Sequence, residues 1–361
     1  MFAPFTLPPL TGRDTEFSLL KDRWEQAQEG MGQIVLLIGE AGLGKSRLVE
    51  TLTQQVYTQE SVAPLGAAGE SASPLVDQES PIIEWRCSQH FQNSELHPVS
   101  DYLDRFFGAG SDASPTACFD RLAQHLEDYG LGRAEFVSLF AKLLFLPPDE
   151  RYSVARLAPA REREETFRAL RQWLHAYSRK RPVLFVVEDL HWIDASTLEF
   201  LGQFIGEGPH NRILTVLTFR PEFKTPWPAL AHQTTLALNR LTRRQVAEWV
   251  RRDAGGVLPE SLIGQIYQRT NGVPLLVEEF IRMSQESAMF ESAGRAPPRS
   301  GPASTRELPT TLQELVMARL DRMSSNREVA QLAATLGREF DYKLLAAVVT
   351  IDEQTLRTEL A

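Results

Sequence analysis

Three glycines, a lysine and a serine stand in one run, Gly39-Glu40-Ala41-Gly42-Leu43-Gly44-Lys45-Ser46. The spacing is G-x-x-x-x-G-K-[ST], and each fixed position is filled. Glycine lets a loop curl with its N–H groups inward around a phosphate. The helix that follows adds unpaired N–H donors and the positive end of its dipole. Lys45 is placed to reach the β- and γ-phosphates, the Ser46 hydroxyl to ligate Mg²⁺, and Arg47 lies in the same first turn. Gly39 through Arg47 are therefore the candidate nucleotide contacts, with ATP or ADP as ligand.

A second constellation lies far downstream. Val183-Leu184-Phe185-Val186-Val187 reads as a buried strand and ends in Glu188-Asp189. Phosphoryl chemistry needs acids that hold the hydrated metal and orient water. In parallel α/β sheets ligands sit beyond the carboxyl ends of strands, the edge that also carries the phosphate loop. Either Glu188 contacts the metal shell and Asp189 positions water, or the roles are reversed. The next strand, Ile213–Phe219, ends in Arg220, whose guanidinium can sense a γ-phosphate or pair with Glu222. His191-Trp192 and Asp194 either shape the metal edge or cap the helix beginning near Ala195. Lys45, Glu188, Asp189 and Arg220 are the candidate catalytic residues; Ser46, Glu188 and Asp189 are the candidate metal ligands.

The elements that must position these residues follow from periodicity. Asp14 to about Glu29 is an amphipathic helix. Gln33–Ile38 is the strand before the loop, and its helix runs from Ser46 to about Tyr57. Residues 62–79, rich in Ala, Gly, Ser and Pro, read as a flexible insertion. A strand at Ile82–Cys87 restarts the pattern, with helices at Val99–Phe107, Pro115–Tyr129, Arg133–Leu146, Pro159–Arg179 and Ala195–Gly206, and a short strand at Thr235–Leu238. Strands alternating with helices imply a parallel sheet covered on both faces. After Leu241 only helical patterns remain: Thr242–Ala254, Pro259–Thr270 and Pro274–Glu286, then Thr310–Met323, Arg327–Gly337, Tyr342–Val349 and Glu353–Leu360. The expected division is a nucleotide-binding domain over 1–240, a helical lid over 241–290, a linker over 291–307 and a partial winged-helix domain over 308–361.

Composition limits the alternatives. The 361 residues carry a net charge of −9, a poor match for DNA or an anionic membrane. Past residue 308 acids such as Glu314, Asp321, Glu339 and Asp352 outnumber the bases, against a DNA-reading wing. Cys87 and Cys118 read as buried reduced thiols. Neither a signal peptide nor an apolar run long enough to span a bilayer is visible, so the expected compartment is the cytoplasm.

Taken together, Thr11-Gly12-Arg13, the phosphate loop, Trp85-Arg86-Cys87-Ser88, Val187 to Asp194, Leu217-Thr218-Phe219-Arg220-Pro221-Glu222 and Thr270-Asn271-Gly272-Val273-Pro274-Leu275 resemble the STAND class of AAA+-related signalling ATPases. The resemblance is strongest to the bacterial modules found beside adenylate/guanylate cyclase domains, protein kinases or LuxR-type regulators. It implies that Gly12 and Arg13 sit near the adenine, that Arg220 is the sensor at the strand end, and that Pro274 touches the adenine from the helical lid. It also implies an ADP-held resting form that opens and self-associates with ATP, slow hydrolysis resetting the switch. Glu188 departs from the aspartate common at that place. Relatives continue past the winged-helix region into sensor repeats, so the expectation is a fragment or truncated product; no cyclase or kinase domain is visible. The alternatives are a DNA-binding AAA+/winged-helix protein and a nucleotide-binding scaffold without hydrolysis.

Overall fold

The computed structural model describes residues 10–61, 80–108, 114–154, 157–208, 212–253 and 260–282, and positions 329, 331, 332, 335, 342–349 and 356. The insertion over 62–79, the linker over 291–307 and the helix expected at Thr310–Met323 lie outside the described residues, as does most of 308–361. The chain divides into two compact units, Arg13–Asn239 and a unit formed by residues 1–12 with 240–361.

The first unit is built on five parallel strands: β1 (Gln33–Ile38), β2 (Ile82–Arg86), β3 (Val183–Glu188), β4 (Ile213–Phe219) and β5 (Gln233–Ala237). Their order is β2-β3-β4-β1-β5. The central strands are largely apolar because both faces are covered. Ile34, Leu36, Ile83, Trp85, Phe185, Val187, Leu217 and Phe219 belong to one large cluster. It is completed by α3 (His97–Phe107), α4 (Pro115–Asp128), α5 (Ala134–Leu143), α6 (Pro159–Lys180) and α7 (Ala195–Gly206). The stripe Phe167, Leu170, Trp173, Leu174 and Tyr177 of α6 is core, as its helical spacing predicts.

The opposite face meets α1 (Asp14–Gln28) and α2 (Lys45–Ser61), which bury Leu20, Trp24, Leu48, Leu52 and Val56. Strand alternation puts the side chains of Glu188 and Thr218 on this second face.

Several boundaries differ from the sequence reading, among them the end of α5, at Leu143 in place of Leu146. Helix α2 continues past Tyr57 to Ser61. Strand β5 lies at Gln233–Ala237, not Thr235–Leu238, because Leu238 N–H already closes onto the Ile38 carbonyl beyond the strand. Glu188 is the last residue of β3 and not a residue beyond it.

The second unit has α8 (Arg243–Asp253), α9 (Glu260–Thr270) and a helix α10 over 274–282 around Leu241, Val246, Val250, Ile266, Val277 and Ile281. Asn271 and Gly272 turn the chain between α9 and α10 with positive φ of 48° and 69°. A Cβ on Gly272 would stand 2.1 Å from the Leu241 carbonyl oxygen, so only glycine fits there. Further on, α11 (Tyr342–Val348) packs Leu345 with Val329 and Leu356.

Candidate functional site: a phosphate loop facing an acidic strand end

Strand β1 lies between β4 and β5, so the phosphate loop opens where the strand order doubles back, the expected place for a ligand in such a sheet. Gly42 and Gly44 take φ of +77° and +91°, conformations that cost an L-residue strain. Gly39 N–H donates to the Phe219 carbonyl, tying the loop to the end of β4. The Lys45 ammonium donates to the carbonyls of Gly39 (2.7 Å) and Glu40 (3.1 Å) and is buried. Burial pushes it below its ordinary value, Asp189 pulls it back up, Arg220 adds to the push, and Glu188 and Glu222 also pull it up. The lysine thus shares one electrostatic neighbourhood with both acids and the arginine, on the strand ends predicted for them.

The acids differ in setting. Glu188 is buried (4% exposed) and registers against Arg86 of β2. The next residue, Asp189, takes φ of +59°, an uncommon conformation for a non-glycine residue. Its N–H donates to Thr218 Oγ1 at 3.0 Å, which holds the strained residue. This turn swings the Asp189 side chain out to 34% exposure. A short 3₁₀ turn over Leu190–Trp192 follows.

Asp194 is a cap. Its carboxylate accepts from the N–H groups of Ser196 and Thr197 at the start of α7, from Thr197 Oγ1 and from Leu96 N–H. The two readings left open for it are thereby decided for capping. His191 and Trp192 lie instead beside Asp189 and Arg220. The Arg220 guanidinium lies over the Trp192 ring, 5.2 Å from its centroid, a cation–π contact that orients it. His191 feels burial first, which lowers its pKa, then the charges of Asp189, Arg220, Lys45 and Glu222.

Arg13 is buried against the loop. Its guanidinium donates to Leu43 O (3.2 Å) and Asn239 O (2.5 Å) and pairs with Glu16. Gly12 has φ of +66°, and its carbonyl accepts from Gln245 Nε2 at 3.0 Å. Pro274 opens α10 in the second unit. Cys87 and Cys118 are buried free thiols; burial first, then Asp194, raises the Cys87 pKa, so it stays protonated and inert.

Sequence reasoning passed over Thr218 and underrated Glu222 and His191. The signal for Thr218 was a polar residue in a mostly apolar strand, one residue from its end. Ser46, Glu188 and Asp189 fit Mg²⁺, a hard cation that keeps waters and takes substrate phosphates instead of a full protein cage. No cluster of three or more His, Cys, Asp and Glu that could hold a metal occurs among the described residues. None of the described helices is long and apolar enough to cross a membrane.

Residues 9–216, more than half of the chain, match the AAA ATPase domain family. The chain belongs to that family. An uncharacterized protein of Rhizobium meliloti is 27% identical to this AAA ATPase domain protein over 347 residues, 94% of this chain and 31% of the relative. The chain thus spans about a third of the curated relative it matches. A Pyrococcus horikoshii signal transduction ATPase with numerous domains (STAND), which has a tetratricopeptide repeat sensor, is similar in structure. It covers 99% of this chain and 40% of its own, with a TM-score of 0.50 and 12% identity, a likeness of fold. The Aeropyrum pernix Orc1 protein, solved in complex with DNA, covers 99% of this chain and 83% of its own at a TM-score of 0.42 and 12% identity.

Proposed function

We propose that this AAA ATPase domain is the nucleotide-operated switch of a signalling protein, binding ATP and ADP and hydrolysing ATP slowly. The observation that carries the reading is the shared field of Lys45, Asp189, Glu188 and Arg220 across the ends of β1, β3 and β4. Gly39 to Ser46 wrap the β- and γ-phosphates with backbone N–H groups, Lys45 turns from the loop carbonyls to the phosphate oxygens, and Arg47 borders them. Ser46 and the buried Glu188 hold the metal shell. Bound Mg²⁺ would supply neutralisation of the phosphate charge. The more exposed Asp189 accepts a hydrogen bond from the attacking water. The water oxygen bonds to the γ-phosphorus as the bond to the β–γ bridging oxygen breaks, and the proton leaves with the released phosphate. Arg220, braced on Trp192, meets the γ-phosphate and distinguishes ATP from ADP.

The family resemblance assigns Gly12, Arg13 and Pro274 to the adenine, residues 241–290 to a lid and 308–361 to part of a winged helix. Arg13, already engaged by Leu43 and Asn239, supports the loop from behind. The ATP state self-associates in the cytoplasm, and its input and output lie in other domains. Calorimetric titration with Mg-ATP and Mg-ADP, with molecular mass measured in each state, tests the reading. Binding of both, with a larger assembly in ATP, supports the switch. Binding with no change of mass leaves only a nucleotide module, and absence of binding refutes the site.

A further inference from the structure

The 3₁₀ turn after Asp189 is held by its backbone at several points. Asp189 N–H donates to Thr218 Oγ1, Trp192 N–H donates to the Asp189 carbonyl (2.9 Å), and the His191 carbonyl accepts from Gln92 Nε2 (3.4 Å). The His191 ring is therefore fixed in place, 4.3 Å from the Trp192 ring centroid, and its side chain is 11% exposed. Both ring nitrogens are nevertheless buried without a hydrogen-bond partner. A ring kept for packing alone would be apolar, and buried polar atoms are rarely left unmet. The nearest acid is Asp189: His191 Nδ1 stands 3.9 Å from its Oδ1, about 1 Å beyond a hydrogen bond. Asp189 is also the carboxylate whose charge acts most strongly on Lys45, from the strained turn.

We propose that His191 is a positioning residue for Asp189: with nucleotide in the phosphate loop, the His191 Nδ1–H donates to the Asp189 carboxylate and fixes the rotamer in which that carboxylate meets the attacking water. The inference rests on the hydrolytic reading above. A side-chain rotation of Asp189 closes the gap without moving the backbone. The other carboxylate oxygen is left to accept from the water. Trp192 then serves both neighbours, in ring contact with His191 and beneath Arg220.

The test compares His191→Phe, His191→Asn and His191→Gln with the wild type by steady-state ATP turnover and by calorimetric Kd for Mg-ADP. His191→Phe keeps the ring volume and loses the donor; kcat should fall about 10- to 100-fold with Kd within about 2-fold. His191→Asn, whose amide N–H sits near the Nδ1 position, should recover most of that loss, and His191→Gln should not. Wild-type kcat in His191→Phe, or equal loss in Phe and Asn, overturns the proposal, as does a change confined to Kd or KM.

A second measurement reads its deciding arm on the wild type and needs no turnover. In ¹⁵N-histidine-labelled wild-type protein, loading with Mg-ADP and aluminium fluoride should produce a hydrogen-bonded Nδ1–H resonance, which Asp189→Ala, lacking any acceptor, should remove. Its absence in the loaded wild type overturns the pair. If the wild type turns over no ATP, the hydrolytic reading fails by itself, and this resonance still decides the His191–Asp189 contact.

Discussion

In the proposed site the ends of β1 and β3 face the same nucleotide and solve opposite problems. After β1 the chain must offer backbone N–H groups, so side chains are in the way, and the positive-φ positions are Gly42 and Gly44. After β3 the chain must offer a carboxylate, so a side chain is required where the backbone also turns left-handed. Asp189 occupies φ of +59° and is held by Thr218 from the neighbouring strand. One end avoids strain by omitting Cβ; the other accepts strain and steadies it with a hydrogen bond across β4. A residue type that is cheap for structure and one that is needed for chemistry stand side by side in one site.

The comparison can be broken most severely at the lysine. Lys45→Ala removes charge-assisted contacts to two phosphates, each of about 1.5–3 kcal/mol, so Mg-ATP affinity should fall by about 100-fold or more in calorimetry while the melting profile stays cooperative. Unaltered affinity would remove the loop from the site. Asp189→Gly tests the other end: turnover should drop about 100-fold or more, whereas relief of strain should stabilise the fold by about 0.5–1 kcal/mol, seen as a higher Tm. A fall in both would show that Asp189 is not strained for function.

The reciprocal change, Gly44→Ala, meets no atom within 4 Å of the new Cβ, so only backbone strain opposes it. A strain of about 1–2 kcal/mol should weaken ATP binding by roughly 10-fold in the same titration. Thr218→Val keeps shape and deletes the acceptor for Asp189 N–H. It should cost about 1 kcal/mol in chemical denaturation and lower kcat several-fold with little change in Kd; an equal Kd loss would point to a collapsed loop instead.

The smallest effect on the site should come from His125, which is buried in the core. Trp173 Nε1–H donates to His125 Nε2, and burial lowers the pKa of this histidine to about 4. The folded value lies below the unfolded value of about 6.5, so the unfolded chain takes up the proton first as pH falls. The neutral ring's contribution is whole above pH ~6.5 and disappears toward pH ~4, up to about 3 kcal/mol. His125→Gln, which keeps an acceptor, should flatten that part of the stability–pH curve and leave ATP affinity at pH 7.5 unchanged.

The two strand ends were not equally legible in the sequence. The phosphate loop is contiguous, and its glycine spacing carries its own geometry, so Gly39 through Ser46 stood out unaided. Glu188-Asp189 was readable as the end of an apolar run, but the conformation that separates a buried Glu188 from an outward Asp189 depends on Thr218, 29 residues away in a neighbouring strand. The union of β1, β3 and β4 at one edge is a matter of strand order, which a pattern of alternating helices and strands leaves open. His191 and Trp192 could be helix-start residues or site residues until Asp194 was seen to fill the cap alone. Edge strand β5 was displaced because its exposure alternates weakly, giving little periodicity to anchor it. The likeness of Gly12-Arg13 to a nucleotide-contact motif concealed a mechanical role for Arg13 that needs Leu43 and Asn239 in place to be visible.

That arginine has a consequence for how such chains are assembled by evolution. Arg13 is the first residue of the nucleotide-binding unit and Asn239 its last, and one guanidinium joins them. A unit whose two ends meet at a single point behaves as a cassette. It can be excised from one polypeptide and spliced into another without stretching the host on either side, and its phosphate loop travels with the fastening.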